Sequence, residues 1–149
     1  MNFIKESNLK SKIVIMCVGT DKVLFDCFGA LVGSLLKNTN INAYVYGQVG
    51  KSINSKNIKS VYDIIKVLHP DSYIIVVDCC PATSFHNIGQ TKIFDSPCKC
   101  VQGKYSIGNA CVLCSTFFAS QDNIQYANIF QIMRYAVKIK NFLYELIMP

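Results

Sequence analysis

Residues 13–18, Ile-Val-Ile-Met-Cys-Val, form an unbroken apolar run after Lys12. A run without alternation suits a strand buried on both faces. Beyond the Gly19-Thr20-Asp21 loop the period changes. Apolar residues recur at Leu24, Phe28, Leu31, Val32, Leu35 and Leu36, which predicts a helix ending near Lys37 and Asn38. Residues 41–46 predict a second strand, closed by Gly47 and Gly50, and residues 50–56 a polar loop. Ile58, Val61, Ile65 and Leu68 mark a second helix, which Pro70 stops. Asp71 and Ser72 turn into a third strand at residues 73–77. The order β-α-β-α-β, with helical crossovers, implies a parallel sheet with helices on its faces.

The second half is less regular. Residues 88–94 and 110–116 read as strands, with loop-like Asp95-Ser-Pro-Cys and Gly103-Lys-Tyr-Ser between them. Ser120 or Asp122 is placed to cap a long final helix over residues 122–147. Its apolar positions are Ile129, Met133, Val137 and Leu143 on one face, with Phe130, Ile132 and Ile139 on others. A helix apolar on several sides belongs in a core or in a contact between subunits, so a homo-oligomer is compatible with the chain. The expected organisation is one α/β domain over residues 1–149, with a polar N-terminal segment at 1–12.

Parallel strands present their carboxyl ends along one rim, where ligands collect. Asp26 follows the first strand, and Asp78 is expected at the end of the third. The inferred topology brings both to that rim. Two carboxyls there can share a proton, activate a water or hold a metal. Gly19, Thr20 and Asp21, on the loop after the first strand, are candidate substrate-binding residues, or serve to orient Asp26. Asp21 with Asp26 and Asp78 also offers oxygen ligands for a hard divalent cation. Structural readings stand beside these. Asp26 suits a helix N-terminus, where an acid contributes about 0.3–1 kcal/mol, and Asp78 suits a strand end accepting backbone N–H groups. His86 is within reach of the rim, whereas His69 sits at a helix end. No G-x-S-x-G or G-x-G-x-x-G pattern is present.

Composition narrows the field. The net charge of +6 is carried by 14 lysines and a single arginine. The lysines are scattered and arginine, the commonest base-reading side chain, is nearly absent, which argues against nucleic acid as partner. No apolar run approaches the roughly 20 residues of a membrane helix. The N-terminal segment lacks a signal-peptide core, so a cytoplasmic protein is expected. In that compartment the eight cysteines are not expected to form a disulfide framework. No cofactor is demanded by a motif, but Cys98, Cys100, Cys111 and Cys114 offer four thiols for zinc. The Cys111-Val-Leu-Cys114 stretch alternates like a strand, which points its two sulfurs to opposite faces.

These motifs carry a family resemblance. Cys17-Val-Gly-Thr-Asp-Lys followed by Phe25-Asp-Cys-Phe-Gly-Ala-Leu-Val-Gly33 resembles the opening signature of the sporulation protein YyaC family, C-I-G-T-D-R and G-D-S-L-G-P-L-V-G. Tyr44-Val-Tyr-Gly47 looks like its second strand and residues 74–79 like its I-D-A segment. That family is similar to the spore germination protease and, more distantly, to the proteases that mature hydrogenase large subunits. The resemblance implies a three-layer α/β sandwich of the phosphorylase/hydrolase type. It also implies a sporulation-associated peptidase with Asp26 and Asp78 as the catalytic pair. A protein substrate follows, with small acid-soluble spore proteins as candidates, in an AT-rich spore-forming bacterium. Departures from the pattern include Ala30 for the usual Pro, Cys79-Cys80-Pro81 for A-x-x-G, and missing glycines at residues 96–103. They keep open a second reading, a catalytically inactive binding or assembly module on the same fold.

Overall fold

The computed structural model describes residues 4, 5, 8 and 11–148. Most of the expected N-terminal segment 1–12 lies outside the described residues. Five elements build the parallel half: β1 (Ile13–Cys17), α1 (Phe28–Lys37), β2 (Tyr44–Tyr46), α2 (Ile58–Leu68) and β3 (Tyr73–Pro81). A 3₁₀ turn at Leu24–Asp26 leads into α1. The rest comprises β4 (Thr91–Phe94), the hairpin β5 (Cys98–Cys100) and β6 (Tyr105–Ile107), β7 (Ala110–Ala119), β8 (Ile124–Tyr126) and α3 (Ile129–Ile147). The main sheet runs β2-β1-β3-β7-β4, with β8 also paired to β7. β1, β2, β3 and β7 are parallel; β4 and β8 are antiparallel to β7. The result is a mixed α/β fold with a mostly parallel sheet between helices, as expected.

Alternation along the strands splits the core in two. Ile13, Ile15, Cys17, Ile75, Val77 and Val112 face Phe28, Val32 and Leu36 of α1 and Ile132, Ile139 and Leu143 of α3. Val14, Met16, Ile74, Val76 and Cys111 face Ile58 and Ile65 of α2 and the hairpin residues Cys98, Cys100 and Ile107. Full burial of one such large side chain contributes about 1.5–3 kcal/mol. Two glycines set the close approach of α1 to β1. A Cβ on Gly29 would lie 2.0 Å from the Val18 carbonyl oxygen, and one on Gly19 (φ +149°) 2.3 Å from that of Asp26.

Several elements differ from the expectation. β2 starts at Tyr44, not residue 41. β3 continues four residues past Val77, because Asp78, Cys79 and Cys80 keep pairing with Leu113, Cys114 and Ser115 of β7. Asp78 is therefore inside the strand rather than at its end. The two loop-like stretches around residues 95–106 contain the β5–β6 hairpin. The last helix begins neither at Ser120 nor at Asp122. Ser120 instead closes the turn into β8 through its amide and hydroxyl, both donating to the Asn123 carbonyl. Asn128 and Gln131 then form a reciprocal capping box, giving α3 a length of roughly 28 Å.

Candidate active site

β1 leads through α1 to β2 on one side of it, while β3 lies on the other side. The crossover helices α1 and α2 pack on opposite faces. The crevice at the carboxyl ends of β1 and β3 is thus a topological switch point, where such sheets bind ligands. It opens as a cleft of about 950 Å³ whose lining includes Gly19, Thr20, Asp26, Asp78, Cys79 and Phe117.

Asp26 arrives on the 3₁₀ turn. That turn is held from β7 by the Thr116 hydroxyl, which donates to the Phe25 carbonyl at 2.6 Å. The Phe25 ring stacks on Tyr126 of β8 at 5.2 Å between centroids and lies 4.7 Å from Phe117. The Asp26 carboxylate does not cap α1, whose N-cap residue is Cys27 with no side-chain capping bond. It accepts the Thr20 N–H at 3.3 Å and the Cys79 thiol at 3.1 Å.

Asp78 arrives on β3 and is buried. Its carboxyl accepts the N–H of Cys79 at 2.8 Å, the kind of bond a purely structural strand acid makes. The buried Cys100 thiol from the hairpin faces it as well. Burial pushes the Asp78 carboxyl up to about 7, with the nearby Asp26 charge adding to the rise and the Cys79 and Cys100 contacts opposing it. Asp26, Asp78 and Cys79 offer donor atoms that all lie within 4.8 Å of one another. Burial, then the charges of Asp78 and Asp26, hold the Cys79 thiol protonated. That removes Cys79 as a thiolate nucleophile.

The other expected site residues divide. Gly19 and Thr20 line the cleft, but the Gly19 N–H is taken by Ile53 and the Thr20 N–H by Asp26. They orient the acid turn rather than present free donors. Asp21 does not join the acid pair; it is exposed and accepts the Gly50 N–H at 2.7 Å. A cation site built on Asp21, Asp26 and Asp78 is therefore corrected to Asp26, Asp78 and Cys79. Two carboxylates and a thiol suit a borderline ion such as zinc better than an ion that prefers all-oxygen ligands. The four-cysteine zinc site does not assemble. Cys111 and Cys114 project into the two separate cores, as their alternation foretold. Cys98 is instead joined to Cys111 as a disulfide, against the expectation of free thiols. His69 bonds the Tyr46 hydroxyl through Nε2 at 2.6 Å, and His86 does not line the cleft.

Sequence reasoning did not place Cys79, Cys100 or Thr116 in the site. The adjacency of Cys79 to Asp78 was the one available signal. The other two depend on contacts that close only when the hairpin and β7 fold onto β3.

Comparison with known proteins follows the same lines. The family described as "Protein of unknown function (DUF1256)" matches residues 1–142. The uncharacterized protein YyaC of Bacillus subtilis (strain 168) is 34% identical over 88 residues, 58% of this chain and 42% of that protein. The matched stretch is thus under half the length of that relative. The crystal structure of HycI, a [NiFe] hydrogenase maturation protease from Thermococcus kodakarensis KOD1, shares the fold with a TM-score of 0.62. The match covers 97% of this chain and 98% of that one, at 16% identity, a likeness of fold.

Proposed function

The chain belongs to the DUF1256 family, and on that premise we propose that it is a peptidase that processes a protein substrate with the Asp26–Asp78 pair. One observation carries the reading: two carboxyl groups from different elements meet in an open cleft, and one is pushed up to about 7. Burial chiefly sets the rise of the Asp78 carboxyl, and the neighbouring Asp26 charge adds to it. Asp26, the acceptor of the Thr20 and Cys79 donors, takes a proton from water as its oxygen attacks the peptide carbonyl. Asp78 holds the proton that passes to the leaving amine as the C–N bond breaks. Return of the proton from Asp26 to Asp78 restores the starting state. The protease fold of the hydrogenase-maturation enzyme supports this reading, as does the resemblance to spore proteins. Were Asp26, Asp78 and Cys79 instead to hold a divalent ion, it would polarise the scissile carbonyl in place of the acid–base pair.

The biological setting we propose is sporulation or germination, with small acid-soluble spore proteins as the first substrates to try. A second reading, a non-catalytic assembly module, is favoured by one feature: Ile129, Phe130 and Val137 are exposed on α3. The deciding test is cleavage of those spore proteins with and without zinc, beside the Asp26→Asn/Asp78→Asn double variant. Cleavage by the parent chain alone supports the peptidase. Cleavage by neither, with loss of biological role on Phe130→Asp, supports the module.

A further inference from the structure

The cleft carries a charge pattern that the acid pair does not explain. Three lysines line it, each delivered by a different segment: Lys22 after β1, Lys56 before α2, and Lys99 on β5. All three are exposed. None forms an ion pair among the described residues, where the ion pair found is Lys59–Asp63 on α2. Among the described residues, no acid other than Asp26 and Asp78 lines the cleft. The apolar side chains of Val23, Phe25, Val101, Leu113 and Phe117 also line it.

We propose that the cleft selects an acidic peptide segment, with an apolar residue seated on the wall and carboxylates on either side reaching Lys22, Lys56 and Lys99. This deepens the peptidase reading and rests on it for the site. An extended chain fits better than a phosphate ligand. The cleft holds no arginine, and the two carboxyls that line it oppose a dense anion. Flexible lysine ammonium groups serve as point charges that steer and hold carboxylates at the rim. Cation–carboxylate pairs at exposed positions are individually weak and add up only when several act together.

The test measures binding separately from cleavage. Three short rhodamine-labelled peptides share an apolar centre and differ only in flanks of Glu, Gln or Lys. Fluorescence anisotropy is read at low and at physiological salt. The Glu-flanked peptide is expected to bind the parent chain about tenfold tighter than the Gln-flanked one, with the margin shrinking as salt rises. Lys22→Gln/Lys56→Gln/Lys99→Gln should erase that margin. Lys12→Gln/Lys66→Gln/Lys138→Gln, which makes the same change in net charge outside the cleft, should keep it. Equal binding of all three peptides, no binding of any, or equal loss in both triple variants overturns the proposal. So does a single-stranded oligonucleotide that outcompetes the Glu-flanked peptide for the same lysines. Cleavage is scored on the same peptides. Charge-selective binding without cleavage leaves this inference standing and removes the peptidase reading, and charge-blind cleavage does the reverse.

Discussion

The two faces of the sheet hold the two acids in different ways. On one face α1 and α3 pack side by side over a core that includes Phe28, Leu36, Ile132 and Leu143. Asp26 belongs to this side, on a turn pinned by Gly29, Thr116 and the Phe25–Tyr126 stack. On the other face α2 shares the cover with a two-stranded hairpin that makes no strand pairing to the main sheet. The hairpin is attached through Cys98, Cys100, Ile107 and the Cys98–Cys111 bond, and Asp78 lies beneath it. The difference teaches a division of labour. The helical face fixes where the acid turn sits, and the hairpin face fixes how dry Asp78 is, and hence whether it keeps its proton.

The largest expected effect lies on the helical face. Phe28 is fully buried, and Phe28→Ala should cost about 3–5 kcal/mol in urea denaturation. Ile107→Ala in the hairpin strand β6 should cost clearly less; an equal cost would break the comparison. Next is reduction of Cys98–Cys111 by a dithiol, which releases a loop of sequence separation 13. A loss of about 3 kcal/mol is the ceiling from chain entropy. Hydrogen exchange should quicken in β5 and β6 and stay unchanged in α1 and α3. Uniform quickening would mean that the faces are not separable.

A smaller effect has a definite sign. The Asp78 carboxyl stands at about 7 in the fold against 3.8 unperturbed. The folded state therefore binds the extra proton between those values. The contribution is fully present below about pH 4 and is lost as pH rises through 7. Asp78→Asn removes the ionisation and should raise stability at pH 8 relative to pH 5, by on the order of 2 kcal/mol. A thermal-melt series that shows no pH-dependent gain would contradict the burial of Asp78. The smallest is Asn128→Ala, which breaks the α3 capping box at a cost of about 1 kcal/mol and should leave the titration of Asp78 unmoved.

The helical face and the parallel core were legible in the sequence because their periods are local. β1, α1, α2 and the start of β3 follow from runs and i, i+3, i+4 spacing, and the parallel order alone foretold that Asp26 and Asp78 would meet. The hairpin face was not legible. Residues 98–100 and 105–107 are short, rich in turn-formers between them, and become strands only by pairing with each other. The extension of β3 through Pro81 and the appearance of β8 are imposed by β7, from more than 30 and from 5–9 positions away. The same reason hid Cys100, which meets Asp78 across 22 positions, and misplaced Asp21, whose partner Gly50 lies in a loop 29 positions on. Asn128 was missed as a cap because Ser120 and Asp122 are equally good capping residues that β8 draws away.

The central claim is that Asp78 holds a proton in the cleft beside Asp26, whose charge adds to the rise. Carbon-13 NMR of the aspartate side-chain carboxyls across pH tests it most directly. The account predicts one carboxyl titrating near pH 7, absent in Asp78→Asn and moved downward in Asp26→Asn. If every aspartate titrates in the ordinary carboxylate range, or if the high-titrating group ignores Asp26→Asn, the pair does not exist and the peptidase reading goes with it.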